Sequence, residues 1–541
     1  MKKFFNKIAI LGLGLGLMTS CTGNFETMNV DPNNPTETSP QLMFPKMLQY
    51  GYCTRSWEYQ VGENLHTNQY AQYVSCTSTG FVTDRYGTND TWVKESFWRM
   101  YYTYISRNMD YLKETLEDHP EYMNMYQVMR IYSTFVAQRT TDLFGDIPYT
   151  EAGQGIITPK YDSQESIYNN FFKELDEAIA YLEAHKSEGL ATFGSQDLVY
   201  GGDYDQWIKL GNSLRLRLAI RIAYIQPDVA KAQGEKALAT NNLLASTSDN
   251  AGIMNFRENN ANSFYTISFW NEFRASKTII DAMLPNVTIN KSSVNDPRLP
   301  LFFSKTQGFL SGNSSVPEYR GVPNGLAASS LTQDEYRAQN NSCIWGYEAC
   351  DWNSTAVGSV GENDSPQSQV YALVEREQPV MYYSEVCFLK AEAGLRGWSG
   401  AGDIKANYEA GIRASFEEAR EGAVSAYTYD PNDDETYINA VKITDTGDFE
   451  GTLEKIISQK WLALYPNGVE AWSEFRRTGY PKMNLVVVNE SSDIPQGQFI
   501  KKLAYINDEK SLNPNSTDAS LNGGKGDGRN VRVWWDTGRY N

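Results

Sequence analysis

Apolar residues recur along much of this chain at the three-to-four-residue spacing of one helix face, and the recurrences come in pairs. Tyr126 to Leu143 carries Val128, Ile131, Tyr132, Phe135 and Val136 at close to a 3.6-residue period. Asp162-Ser163-Gln164-Glu165-Ser166 then offers helix-starting caps, and the run from Ile167 sets Phe171, Leu175, Ala178, Ile179 and Leu182 on one side with it. A related two-helix unit recurs. Gln206 to Tyr224 is followed, after Pro227, by Asp228 to Ala239, and Ser384 to Trp398 turns at Gly400–Gly402 into Ile404 to Glu421. Thr452 to Leu464 with Val469 to Arg476 makes a further pair. The second helices share a small-residue pattern in Leu175-Asp-Glu-Ala-Ile179, Gly234-Glu-Lys-Ala-Leu238 and Tyr408-Glu-Ala-Gly-Ile412.

Helix pairs stacked on small residues resemble tetratricopeptide repeats, here at irregular spacing. Each pair buries its apolar stripe against the next. The expected fold is all-α, about four such pairs forming a curved scaffold with one concave face. Long irregular segments lie between the pairs, at about Ser75–Trp92, Ser246–Asn271, Pro285–Val380 and Leu485–Asn530. They are rich in Gly, Ser, Asn and Asp, yet their Trp and Tyr content marks them as ordered, functional loops.

The N-terminus follows a different pattern. Lys2, Lys3 and Lys7 precede an apolar run from Ile8 to Met18, then small Thr19 and Ser20, then Cys21. That order is a secretory signal, and its apolar run is roughly half the ~20 residues a membrane-spanning helix needs. Met18-Thr19-Ser20-Cys21 resembles the lipobox of bacterial lipoproteins, which implies cleavage before Cys21 and acylation of that cysteine. The expected organisation is a signal peptide over 1–20, a polar Asn- and Pro-rich tether over 21–40 and a single domain over 41–541.

Composition narrows the function classes. A formal net charge of −18 excludes a nucleic-acid partner, which needs a basic face. The three histidines, His66, His119 and His185, are scattered, so neither a His-based metal hydrolase nor a His-based nucleophile is indicated. Beyond Cys21 there are five cysteines, an odd number. Cys343 and Cys350 are close enough in a loop to pair, and Cys387 reads as a buried small hydrophobe. Asp430-Pro-Asn-Asp-Asp-Glu435 places oxygen ligands like the start of a calcium loop, but Glu435 and Val441 stand where that loop needs Gly and Glu. It reads as a solvated acidic turn, and neither a metal nor another cofactor is expected. Arg217 with Arg221, and Arg476 with Arg477, set like charges side by side, which requires carboxylate partners and so reads as structural ion pairing.

Seven short words then occur in order. They are Asp142-Leu-Phe-Gly-Asp-Ile-Pro-Tyr-Thr-Glu151, Asp162-Ser-Gln-Glu-Ser-Ile-Tyr168, and the helix from Trp207 to Arg221. Asp296-Pro-Arg298, Ala391 to Trp398, Gln459-Lys-Trp461 and Phe475-Arg-Arg-Thr-Gly-Tyr-Pro481 complete the series. With the opening Asp31-Pro-Asn-Asn-Pro35, they resemble the SusD/RagB family of outer-membrane nutrient-binding lipoproteins over nearly the whole mature chain. The resemblance implies an all-α, non-enzymatic protein, lipid-anchored in the outer membrane at the cell surface. It implies that the protein lies as a lid over a TonB-dependent transporter, a SusC-like barrel. Oligosaccharide is the commonest cargo and peptide the alternative. A glycoside hydrolase would need two carboxyls flanking a cleft, and no pair among the 66 Asp and Glu stands out.

Ligand-binding residues are expected on the loops, where an aromatic ring stacks on a sugar's C–H face and planar polar groups fix its hydroxyls. The first candidate segment supplies Asp84, Arg85, Tyr86, Asn89 and Trp92, and the family resemblance implies that an aromatic of this early loop contributes. The second supplies Phe264, Tyr265 and Trp270. The third supplies Trp345, Tyr347, Trp352 and Asn353, on a loop that a Cys343–Cys350 bridge would stiffen.

Overall fold

The periodic segments fold as eight helices whose ends fall within a few residues of those read from the sequence. In a computed structural model that describes residues 39–254, 262–268, 270, 272–285, 288–344, 376–421 and 429–540, these are α1 (Met123–Phe144), α2 (Gln164–His185), α3 (Tyr204–Arg221) and α4 (Pro227–Ala239). The later four are α5 (Tyr383–Leu395), α6 (Ile404–Arg420), α7 (Phe449–Ala463) and α8 (Gly468–Thr478). Short side chains start most of them. Ser163 accepts from the Ser166 N–H, Asp203 from Gln206, Asp403 from Ala406, Asp448 from Gly451 and Asn467 from Glu470. α1 stops at Gly145, whose φ of +81° suits glycine, and an added Cβ there would strike the Asn522 side chain. α5 ends earlier than Trp398 because the Trp398 N–H turns back to the Ala393 carbonyl at 2.9 Å.

Packing follows the pairs: α1 on α2, α3 on α4, α5 on α6 and α7 on α8, with α2 meeting α3, α3 meeting α5, α5 meeting α7 and α8 returning to α1. The fold is the helical, tetratricopeptide-like scaffold expected. The small residues of the second helices admit rings. A Cβ on Gly234 would enter the Trp398 indole, and one on Gly411 would press into the Phe388 ring.

The paired arginines are sealed inside this scaffold. Arg217 donates to both carboxylate oxygens of Glu385, and Arg221 donates to Glu470 and Glu474. Lys460 lies 3.3–3.6 Å from Glu385, Glu470 and Glu474, and Arg477 joins Glu474 to Glu392. Four helices are thus tied through buried charges that balance one another, which is the condition for leaving charge inside a protein. Arg476 departs from the ion pairing expected of it. Its guanidinium stacks 3.7 Å from the Trp472 ring and donates to the carbonyls of Asp142 (2.7 Å) and Lys501 (2.9 Å). Burial lowers its pKa to about 10.

Two features depart from the all-helical pattern. Short antiparallel pairs join β1 (Val74–Cys76) to β3 (Phe273–Ala275) and β2 (Ala251–Ile253) to β4 (Gln378–Met381). The helical stretches after Ser56 and Asp90 widen into π-helical turns over Gln60–Thr67, Lys94–Trp98 and Tyr102–Ser106. The acidic segment at 430–435 serves structure: Asp430 caps the helix Pro431–Val441, Asp434 pairs with Arg420 and Glu435 with Arg413. Among the described residues no group of His, Cys, Asp and Glu is arranged to hold a metal ion, and no helix is long and apolar enough to cross a membrane. Cys53, Cys76 and Cys387 are buried free thiols. Cys343 is disulfide-bonded, while Cys350, its expected partner, lies outside the described residues, as does the segment from Met1 through Cys21 to Glu37 and Thr38.

Candidate functional site

The three loops that carry the candidate residues leave from one hub. β1 and β3 pair Val74 with Ala275 and Cys76 with Phe273, so the loop after Cys76 departs beside the segment that arrives at Phe273. The Thr77 and Ser78 N–H groups donate to the Glu272 carbonyl, continuing the join. The third loop starts next to them. The Ala275 N–H donates to the Ser342 carbonyl, and the Tyr465 hydroxyl donates to the Ile344 carbonyl at 2.8 Å. Two three-residue strands about 200 positions apart in the chain, with one further backbone bond to Ser342, bring these segments to one place.

Much of the first loop is anchor. Asp84 is buried, and its carboxylate accepts from Ser75 Oγ (2.9 Å), the Cys76 N–H (3.0 Å) and Asn324 Nδ2 (2.8 Å). Burial pushes its pKa up against those hydrogen bonds. Arg85 is buried and donates to Glu490 at 2.7 Å, and its carbonyl accepts from the Glu490 N–H. Tyr86 takes the left-handed conformation, φ +61°, with its ring in the core and its carbonyl accepting from Arg529 at 2.6 Å. These three residues hold the loop down and, enclosed in this way, have no open face for a ligand. This corrects the expectation from sequence. Phe264 is corrected for the same reason. It is fully buried among Tyr59, Phe273 and Tyr465, with ring centroids 5.8–6.4 Å apart.

The loop's outer part is different. Asn89 caps the helix Asp90–Val93 by accepting from the Trp92 N–H at 3.2 Å. Trp92 is half-buried, edge-on to Phe81 at 5.4 Å and beside His66. His66 is enclosed, its Nδ1 2.8 Å from the Val61 carbonyl, and burial lowers its pKa to about 4, so it is neutral at pH 7. Trp57, which the sequence reading did not single out, is 48% exposed, and its indole N–H donates to Glu95 at 3.0 Å. Glu95 follows Trp92 by one turn of the helical stretch. Gln60, one turn after Trp57, donates to Glu272 at 2.7 Å, two residues beyond Trp270, which is 39% exposed. Trp57 is thus joined to Glu95, and the buried Gln60 to Glu272. Burial raises the Glu272 pKa and Gln60 opposes it. Rings beside planar hydrogen-bonding groups are the chemistry of a sugar-binding surface. Tyr265 belongs to the helix Ser263–Ser268, its side chain outside the described residues, and Trp345, Tyr347, Trp352 and Asn353 lie outside them altogether.

The family model for SusD-like proteins, the SusD and RagB outer membrane lipoproteins, matches residues 24–536. The chain belongs to that family. Among solved structures, the SusD-like chain is similar to a chitin-binding SusD homologue from Flavobacterium johnsoniae, at 30% identity over 92% of this chain and 98% of that one, with a TM-score of 0.74. A structure described as a chitin-binding protein is 28% identical over 92% and 100% of the two chains, with a TM-score of 0.73. A SusD homologue from Bacteroides uniformis is 26% identical over 92% and 99%, with a TM-score of 0.74. No curated protein matches. The signal that would have found Trp57 in this SusD-like sequence is its setting, a large ring between charged Arg55 and Glu58.

Proposed function

We propose that this protein is an outer-membrane lipoprotein, anchored through Cys21 at the cell surface, that binds oligosaccharides and delivers them to a TonB-dependent transporter of the SusC-like type. The observation that carries the reading is the whole-length family match joined to a chitin-binding relative at 30% identity. That relative makes β-1,4-linked N-acetylglucosamine the first ligand class to try. The partly exposed indoles of Trp57, Trp92 and Trp270 support a sugar cargo, since an indole offers a flat apolar face next to a hydrogen-bonding edge. Trp345, Tyr347, Trp352 and Asn353 belong to the same reading as candidate ligand contacts. The protein holds and hands over its cargo without cleaving it.

The test has two arms. Isothermal titration of the mature protein with oligosaccharides and with peptide mixtures is expected to give heat with sugars. Heat with peptides alone would replace the cargo. Mild detergent extraction is expected to co-purify a barrel, and a chain recovered alone would remove the transporter from the account.

A further inference from the structure

A cavity of about 480 Å³ lies between the helix Pro431–Val441 and the segment around Pro297–Lys305, and none of Trp57, Trp92 and Trp270 lines it. Its size falls within the roughly 300–1,000 Å³ of small-molecule sites. Tyr429 lines it with half of its surface exposed. One face of the ring is covered. The Arg420 guanidinium carbon sits 3.8 Å from its centroid, and Arg420 is itself fixed by two hydrogen bonds to Asp434, of 2.8 and 2.5 Å. Asp434, Arg420 and Tyr429 thus form a braced stack in which one ring face is occupied and its tilt is set before any ligand arrives. A braced ring loses little freedom on binding.

The rim defines the charge a ligand must carry. Lys305 is paired with Glu318 at 2.7 Å and Arg420 with Asp434, so the excess charge at this cavity comes from Asp430 and Asp433. An acidic rim beside the electron-rich face of a ring attracts hydroxyl and ammonium hydrogens and repels carboxylates.

We propose that this cavity is a second glycan subsite, with Tyr429 as its stacking platform, that accepts neutral and amino sugars and rejects uronic acids. It rests on the glycan-binding reading above but not on Trp57, Trp92 or Trp270. With two separated platforms, one chain would hold a long oligosaccharide at two points, or two oligosaccharides at once.

The experiment is isothermal titration of the mature chain with tetramers of N-acetylglucosamine, glucosamine and galacturonic acid. Wild type is expected to show two classes of site for the first two tetramers. Tyr429→Ala is expected to lose one class, with binding there roughly tenfold weaker, while Tyr429→Phe keeps it. Trp92→Ala is expected to weaken the other class alone. Galacturonate is expected to gain at the Tyr429-dependent site when Asp433 is replaced by Asn. Sugar binding that is unchanged in Tyr429→Ala overturns the subsite and leaves the glycan reading standing. A Tyr429-dependent site that prefers galacturonate overturns the selectivity. Wild type that binds none of the tetramers overturns both the subsite and the reading beneath it.

Discussion

Arg477 and Glu392 meet in a two-pronged ion pair, with Nη1 and Nη2 each 2.7 Å from a carboxylate oxygen and both side chains closed off from water. The arginine keeps Glu392 ionised: despite burial, the carboxyl lies below its ordinary range. Arg477→Ala would strand Glu392 and Glu474 as buried charges short of a partner, at a cost of about 3–5 kcal/mol. The double replacement Arg477→Met with Glu392→Met is expected to recover part of that loss, because the desolvation of both charges disappears with the attraction while Glu474 keeps Arg221 and Lys460. Urea denaturation midpoints check both. A double variant no more stable than Arg477→Ala would mean that the pair is not where the energy lies.

Glu418 predicts a pH dependence of stability. It is buried, its Oε1 accepts from the Ser384 N–H at 3.0 Å, and burial raises its pKa to about 7. The folded state therefore holds this proton more tightly than the unfolded chain, whose carboxyl titrates near 4.5. Its contribution is full below pH 4.5, falls as pH rises to about 7 and is lost above that, a swing of about 3 kcal/mol. Glu418→Gln keeps the shape and removes the titration. The stability difference between this variant and wild type is expected to grow in favour of the variant from pH 4.5 to 7 and then level off. A difference that is flat across that window would show that Glu418 ionises normally.

Trp57, Trp92 and Phe264 separate binding from packing. Trp57 is half exposed and Trp92 half-buried, while Phe264 has no exposed area. Trp57→Ala and Trp92→Ala are expected to weaken oligosaccharide binding roughly fivefold to tenfold each with little change in melting temperature. Phe264→Ala is expected to cost about 3–5 kcal/mol in stability, as a large core truncation does. Calorimetric unfolding and titration on the same samples check this. A Phe264→Ala protein of native stability that binds weakly would restore that ring to the ligand.

The scaffold was legible because a helix buries one face at a fixed period, and Ile167, Phe171, Leu175 and Leu182 announce that face in the sequence alone. Even the ion pairing of Arg217, Arg221 and Arg477 could be anticipated, since neighbouring like charges need partners. Arg476 could not, because its partners are two backbone carbonyls and a tryptophan face that only the fold supplies. The loops were legible as irregular segments, but the placement of their side chains was not. Tyr86 and Trp92 look alike in a polar segment. Which of them points inward is decided by the pairing of β1 with β3 and by Arg529, which donates to the Tyr86 carbonyl from more than 400 residues away. No local period encodes such a contact.

Cys21 carries the last prediction. The lipobox-like Met18-Thr19-Ser20-Cys21 precedes the described scaffold, which starts with the helix Pro40–Gly51, by a stretch that holds Pro32, Pro35 and several asparagines. No helix among the described residues is long and apolar enough to cross a membrane, and the proposed attachment is through acyl chains on Cys21. A single acyl chain holds a protein only marginally, and stable anchoring takes more than one. Cys21→Ala is therefore expected to move the protein from the membrane fraction to the soluble fraction while leaving its melting temperature and its oligosaccharide affinity unchanged. Uptake of the cargo by cells is expected to fall, because a freely diffusing binder no longer stays over one transporter. Fractionation, calorimetry and an uptake assay on one strain pair check the three parts. Uptake that matches wild type with the protein wholly soluble would show that delivery does not depend on the anchor.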